Sequence, residues 1–354
     1  MSARGGDRPP GDDALAAPRF YADRLGQPFT PPEAAIARRF PGWIAALARR
    51  PGFAQGVALG VLARHSEAVA LIRRDRGTLP ALLVAGLPPA RRRIFVLELL
   101  RRPLPLTAWR RVLYRIWWKL VETPALRRGM AAAQVMTDWE RDEYAAHYGL
   151  DRRRLHVVRW ALRAGGEPPP PEVRAGDRAV FASGRTACDW PTLFAAARGA
   201  GWELTVVCSR RDRAQVERLA AQTPARVLSE LPETGHERLL RVAAVSAIVL
   251  EDRGLSAGQV RLMTSVSVGV PVVVTRIRSL EGYVAEGETA IFVPAGDPDR
   301  LRAEIDALLD DPARRERLRD AALRHAAHWT YDDYFGSLRR LILAPRGSSV
   351  SDAA

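Results

Sequence analysis

The 354-residue sequence predicts an α/β protein made of two facing, Rossmann-like, doubly wound domains. Three observations carry that reading. From residue 179 to 330, apolar runs of strand length alternate with periodic runs of helix length, the pattern of a parallel sheet covered on both faces. A Pro- and Gly-rich stretch, RAGGEPPPPEVRAGD at 163–177, cannot continue a helix or a sheet interior and breaks the chain near its middle. The length alone favours two domains over one.

The regular half reads in order. RAVFAS is a short buried strand, and DWPTLFAAARGAG is a helix closed by Gly. WELTVVCS is a second strand before the helix RDRAQVERLAAQ, and ARVLSE is a third before GHERLLRVAAV. SAIVLE, a helix from Gln259, and the strand PVVVT follow. Val272, Val273 and Val274 form a continuous apolar run suited to a strand buried on both faces. In the first half, GVALGVLARHSEAVALIRR, LPALLVAGL and RRIFVLELL alternate apolar runs with helical ones. A basic-aromatic helix, AWRRVLYRIWWKLVE, precedes the strand AAQVMT, the helix WERDEYAAHYG and the strand RLHVVRWAL. The resulting division is a disordered lead-in (1–17), a first domain (18–163), a linker (164–178), a second domain (179–330), a helix returning to the first domain (331–345) and a tail (346–354).

Composition narrows the function. The hydrophobic and charged fractions, 47% and 27%, are those of an ordinary soluble protein, and no apolar run reaches the ~20 residues of a membrane span. The first residues lack the apolar core of a signal peptide, so the expected location is the cytoplasm. The net charge of +14 comes almost wholly from arginine, Lys119 being the sole lysine. Those arginines are dispersed among acids, as in DDPARRERLRDAALRH, so no nucleic-acid partner is expected. Cys188 and Cys208 are too few for a disulfide framework. The six histidines do not cluster, and Asp297-Pro298-Asp299 reads as a turn with a helix cap, so neither a metal site nor a cofactor is expected.

Two short stretches point to an anion. Ser256-Ala257-Gly258 precedes a helix, where exposed backbone N–H groups favour negative charge. Gly184-Arg185 ends a strand, and its guanidinium can grip a phosphate with two hydrogen bonds. From about Ala179 to Tyr334 the sequence resembles the nucleotide-binding domain of GT-B glycosyltransferases of the family 4 (glycosyl transferases group 1) type. FASGRTACDWPTLFAAA is similar to that family's strand, Gly-Arg loop and helix. SVSVGVPVVVTRIRSLEGYVAEGETAIFVPAGDPDRLRAEIDALLDDP resembles its run from Gly-x-Pro-Val-Val to Pro-x-Gly-Asp-Pro. HYGLDRRRLHVVRWAL resembles the segment closing its acceptor domain.

The resemblance implies transfer of a sugar from a nucleoside-diphosphate donor to a hydroxyl acceptor, a cell-surface polysaccharide or a lipid-linked glycan. It implies donor contacts at Gly184, Arg185, Ser256, Ala257, Gly258, Gln259 and Thr264 and a catalytic role for Arg185. Glu251, ending SAIVLE, is a further carboxylate near the site, and Glu98, which ends RRIFVLE where the family often has a histidine, is the candidate catalytic base. The family usually carries two glutamates eight positions apart where this chain has Ser256 and Thr264. Hydroxyls hydrogen-bond without supplying charge. A module that binds a nucleotide, glycan or partner enzyme without turnover therefore stays open as the alternative. The helix Trp109–Lys119 has two readings: its Trp and Arg side chains suit an anionic membrane surface on the inner face, or its aromatic side packs on the first domain's sheet.

Overall fold

A computed structural model describes residues 15–72, 76–89, 92–101, 107–161 and 178–344. The expected linker, apart from Arg178, and the tail at 346–354 lie outside these residues. The chain divides into two units: Met1–Val158 with Phe335–Ala354, and Arg159–Tyr334. Each holds one parallel six-stranded sheet among its described residues, as expected for the α/β class.

In the first unit the strands are β1 (Leu15–Ala16), β2 (Phe29–Thr30), β3 (Ala68–Ile72), β4 (Ile94–Leu97), β5 (Met130–Val135) and β6 (Leu155–Val157). Their order is β2-β1-β3-β4-β5-β6. β3, β4 and β5 lie inside the sheet and read as nearly unbroken apolar runs because helices cover both faces. The other two apolar runs of this half are helices, Phe53–His65 and Thr78–Ala85, packed on one another. The lead-in expected at 1–17 extends too far. Leu15 and Ala16 are buried between β2 and β3, and the Ala17 amide donates to the Thr30 carbonyl at 3.1 Å. A two-residue strand has no periodicity to read, which is why it resembles a disordered start.

The helix Tyr331–Leu343 ends the described chain, and its residues from Phe335 onward count with the first unit. Phe335 packs edge-on against Phe20 and Tyr21, and the Arg339 guanidinium donates to the Leu25 carbonyl at 2.5 Å.

In the second unit the strands are β7 (Ala179–Gly184), β8 (Glu203–Cys208), β9 (Arg226–Ser229), β10 (Val245–Ile248), β11 (Val272–Thr275) and β12 (Ile291–Val293). Their order is β12-β11-β10-β7-β8-β9. The order reverses direction around β7 and β10, and in such sheets ligands bind beyond the strands' C-terminal ends at that point. Ser183 to Asp189, Val249 to Glu251 and the start of the helix Gln259–Ser267 all follow from this topology.

The basic-aromatic helix packs on the first core only through its C-terminal part, from Trp118 onward. The helix Ala108–Trp117 buries no residue; it continues through a π-helical turn, Trp118–Glu122, into Thr123–Gly129. Trp118, Glu122, Ala125 and Leu126 turn toward the core, with Trp118 stacked on His147 at 4.1 Å. Trp109, Val112, Leu113, Ile116 and Leu120 lie about half a helical turn away and stay in water, Leu120 being 72% exposed. Arg110, Arg111, Arg115 and Lys119 are exposed beside them. The stripe and the core-facing residues occupy different sides of one helix, so burying the second leaves the first outside.

Candidate functional site: a cationic cluster at the end of the second sheet

The loop after β7 is tied to its neighbour strand by backbone contacts. The Asp189 amide donates to the Val249 carbonyl at 3.0 Å, and the Glu251 amide to the Ala187 carbonyl at 2.9 Å. The Leu250 amide donates to Thr275 Oγ1 at 3.0 Å, joining the end of β11 to the same platform. Ala187 holds a left-handed conformation (φ 53°), rare for a residue with a Cβ. Asp189 caps the next helix, Trp190–Ala197, accepting from the Thr192 amide at 3.1 Å and its hydroxyl at 2.7 Å. Its negative charge stands at the positive end of that helix.

Ser256, Ala257 and Gly258 enter the helix Gln259–Ser267, and Gly258 serves as its N-terminal flanking residue at φ 91°. A Cβ there would meet Leu250 Cδ1 at 2.6 Å, so only glycine fits both the angle and the space. No side chain caps this helix start. The loop is braced from within. Gln259 Nε2 donates to Ser256 Oγ at 2.6 Å and to the Ser279 carbonyl at 3.0 Å, while Ser279 Oγ donates to the Ala257 carbonyl at 3.0 Å. Gln259 is expected from the sequence to contact the ligand; its side chain is buried, with the amide nitrogen bracing the loop, and its backbone N–H opens the uncapped helix.

Thr264 Oγ1 donates to the Val260 carbonyl at 2.7 Å, a contact within the helix that leaves the hydroxyl only its acceptor lone pairs. The Glu251 carboxylate is ion-paired with Arg253. Arg185 is 69% exposed along its side chain and its Nη2 sits 3.1 Å from Glu230 Oε2. Glu230, itself at φ 52°, also accepts from the Arg210 amide at 3.2 Å.

Two residues absent from the sequence reading stand among these. Arg261, the third residue of the helix Gln259–Ser267, extends its guanidinium over Gly184, where Nη1 donates to the Ser183 carbonyl at 2.5 Å and Nη2 to the Thr186 carbonyl at 3.2 Å. Added to Gly184, a Cβ would meet Arg261 Nη1 at 2.2 Å and Cys188 Sγ at 2.3 Å. His236 Nε2 lies 2.8 Å from Ser183 Oγ. Burial lowers the His236 imidazole below its ordinary value, and the charges of Arg261 and Arg185 lower it further. Burial pushes the Cys188 thiol up, against the pull of Arg261. Local sequence marks neither residue: Arg261 looks like any helix arginine until the helix is folded back on a strand about eighty positions earlier.

In the first unit, Glu98 follows β4 in a left-handed conformation (φ 50°). Tyr21 donates its hydroxyl to Glu98 Oε1 at 2.6 Å, and the Glu98 amide donates to Oε1 of the buried Gln134 at 3.2 Å. Gln134 is held in turn by the Val158 carbonyl, 2.9 Å from its Nε2. The carboxylate is therefore fixed rather than free on a loop.

An open groove of about 450 Å³ lies elsewhere, against Ala179, Trp202, Leu204, Ala225 and Val242 at the N-terminal ends of β7 and β8. It is at the opposite end of the sheet from the cationic cluster.

The two parallel sheets define the class: a GT-B fold. HepE from Anabaena in complex with UDP-glucose superposes with a TM-score of 0.63 over 92% of this chain and 97% of that one, at 13% identity. A glycosyltransferase from Rickettsia africae gives 0.60 over 86% and 83%, at 10% identity. The resemblance in sequence is also present. The model of the glycosyl transferases group 1 family matches residues 187–311, beginning two residues after Arg185. A D-inositol 3-phosphate glycosyltransferase from Catenulispora acidiphila is 34% identical over 90 residues, 25% of this chain. That match spans about a fifth (21%) of the relative's length.

Proposed function

We propose that the protein transfers a glycosyl group from a nucleoside-diphosphate sugar to a hydroxyl acceptor. The observation that carries this reading is the meeting, at one sheet end, of the Gly184-Arg185 loop and the uncapped helix start at Gly258. The amides of that helix start and the nearby cations stabilise the diphosphate as the bond from its oxygen to the anomeric carbon breaks. The acceptor oxygen forms the new bond to that carbon and gives up its proton. Glu98, fixed by Tyr21 and Gln134, is the first unit's candidate to receive it. The UDP-glucose bound by HepE and the sugar transfer in the name of the Catenulispora relative support a sugar nucleotide as donor.

The acceptor is a cell-surface polysaccharide or a lipid-linked glycan, reached from the cytoplasmic side. No helix among the described residues is long and apolar enough to cross a membrane. The exposed stripe of Trp109, Ile116 and Leu120, flanked by Arg111, Arg115 and Lys119, supports peripheral attachment to an anionic inner leaflet. A second reading, binding without turnover, is favoured by Ser256 and Thr264, which bring no charge to the donor.

The test begins with melting curves in UDP, GDP and dTDP, because a ligand that binds only the native state raises the apparent stability. A shift at millimolar concentration is expected with at least one of them; none with any would sink the donor-site reading. Release of nucleoside diphosphate from the matching sugar nucleotide, on adding acceptor, then separates transfer from binding alone.

A further inference from the structure

We propose that Arg261 is the principal cation for the donor's diphosphate, ahead of Arg185. The inference rests on the donor-site reading above and deepens it. Arg261 is half-buried, and its hydrogen-bond partners are the Ser183 and Thr186 carbonyls and the Cys188 thiol. No carboxylate pairs with it among the described residues. Carbonyl oxygens orient a guanidinium but do not cancel its charge, and an uncompensated charge drawn partly out of water is strongly favoured by a bound anion. Arg185 is in the opposite condition, mostly in water and neutralised by Glu230. An anion gripping Arg185 must displace that carboxylate; one gripping Arg261 displaces none.

Placement agrees with charge. Arg261 belongs to the first turn of the helix whose start is uncapped, so the unsatisfied backbone donors and the guanidinium come from a single element. Gly184 lets the fork lie against the end of β7, and the carbonyl contacts fix its direction before any ligand arrives. A side chain already ordered loses less entropy on binding than a free one. Burial holds the His236 imidazole below its ordinary value, and the charge of Arg261 adds to that against the opposite pull of Glu233 and Glu237.

The competing explanation is that Arg261 only ties the Gly184–Asp189 loop. Isothermal titration separates the two by comparing a nucleoside diphosphate with its own nucleoside, UDP with uridine for instance. The ratio of the two affinities isolates the diphosphate. Arg261→Gln should shrink that ratio tenfold or more, and further than Arg185→Ala does, while the nucleoside binds as before. A merely structural arginine would weaken both ligands together and leave the ratio where it was, which overturns the proposal. So does a larger loss in Arg185→Ala. If Arg261→Gln does not fold, Arg261→Lys decides, since it keeps the charge but cannot hold both carbonyls and a phosphate. A ratio at least threefold below wild type is expected there, and an unchanged one overturns the assignment. Wild type that binds none of UDP, GDP or dTDP removes the donor site and this inference together; wild type that binds with an unaltered ratio in the variants removes the inference alone.

Discussion

Two polar-apolar arrangements in this chain are finished to different degrees. Around the start of the helix Gln259–Ser267, side chains brace the backbone from within: Gln259 and Ser279 hold the loop, Asp189 caps the helix Trp190–Ala197, and Glu230 neutralises Arg185. Along Ala108–Glu122 the apolar stripe has no such complement among the described residues, and Trp109, Val112, Leu113, Ile116 and Leu120 remain exposed while Trp118 and Glu122 are turned inward. The first arrangement is complete but for one charge. The second is complete only on its inner side, and no described residue covers its outer side. Substitutions can test whether such a contrast sorts residues that serve stability from those that serve binding.

The largest effect should come from splitting the two sides of this helix. Trp118→Ala removes a ring stacked on His147 and packed on the first core, so a loss of about 3 kcal/mol in unfolding free energy is expected. Trp109→Ala with Leu120→Ala removes two exposed side chains, so the melting point should hold. Binding to vesicles containing anionic lipid should instead fall about a hundredfold, at ~1.5 kcal/mol or more for each buried apolar side chain. Stability lost in the double variant, or vesicle binding untouched by it, would break the contrast.

Asp189→Ala sharpens the other half. It deletes a helix cap, which costs about 1 kcal/mol of stability by chemical denaturation. Titration with the best nucleoside diphosphate should show equal or slightly tighter binding, because a negative charge is removed from beside the phosphates. Loss of affinity well beyond the loss of stability would place Asp189 in the ligand's own contacts.

The smallest effect is a pH dependence. Burial, helped by the Arg101 charge, holds His147 at about 4, below its ordinary value near 6.5. The native protein thus binds this proton less readily than the unfolded chain. Stability contributed by the neutral ring is whole above pH ~6.5 and declines as pH falls toward 4. In His147→Gln, unfolding curves across that window should lose this slope; the same slope in variant and wild type would assign it to another group.

The parts legible in the sequence were those with a local signal. β11 shows itself as Val272-Val273-Val274, the cap at Asp297 as Asp-Pro before a periodic run, and the Gly258 loop as small residues ahead of a helix. β1 and β2, at two residues each, have no period, and only the long-range pairing with β3 makes them strands. At the site, Arg185 and Gly184 could be read because they adjoin a strand end. Arg261 and His236 could not, since they reach that strand end only through contacts 78 and 53 positions away along the chain. The helix at Ala108 gave its amphipathic pattern freely, but pattern alone does not say which side meets the core.

Gly184 and Arg261 constrain one another. The space a methyl group would need on the first is filled by the guanidinium of the second and by the Cys188 sulfur. A descendant of this protein that gains an alanine at 184 would have to shorten residue 261 and displace the Cys188 sulfur, or move the loop; shortening 261 alone relieves only half of the clash. The three positions fit as a lock and its bolts, so relatives with a long cation at 261 and a cysteine at 188 should keep glycine at 184.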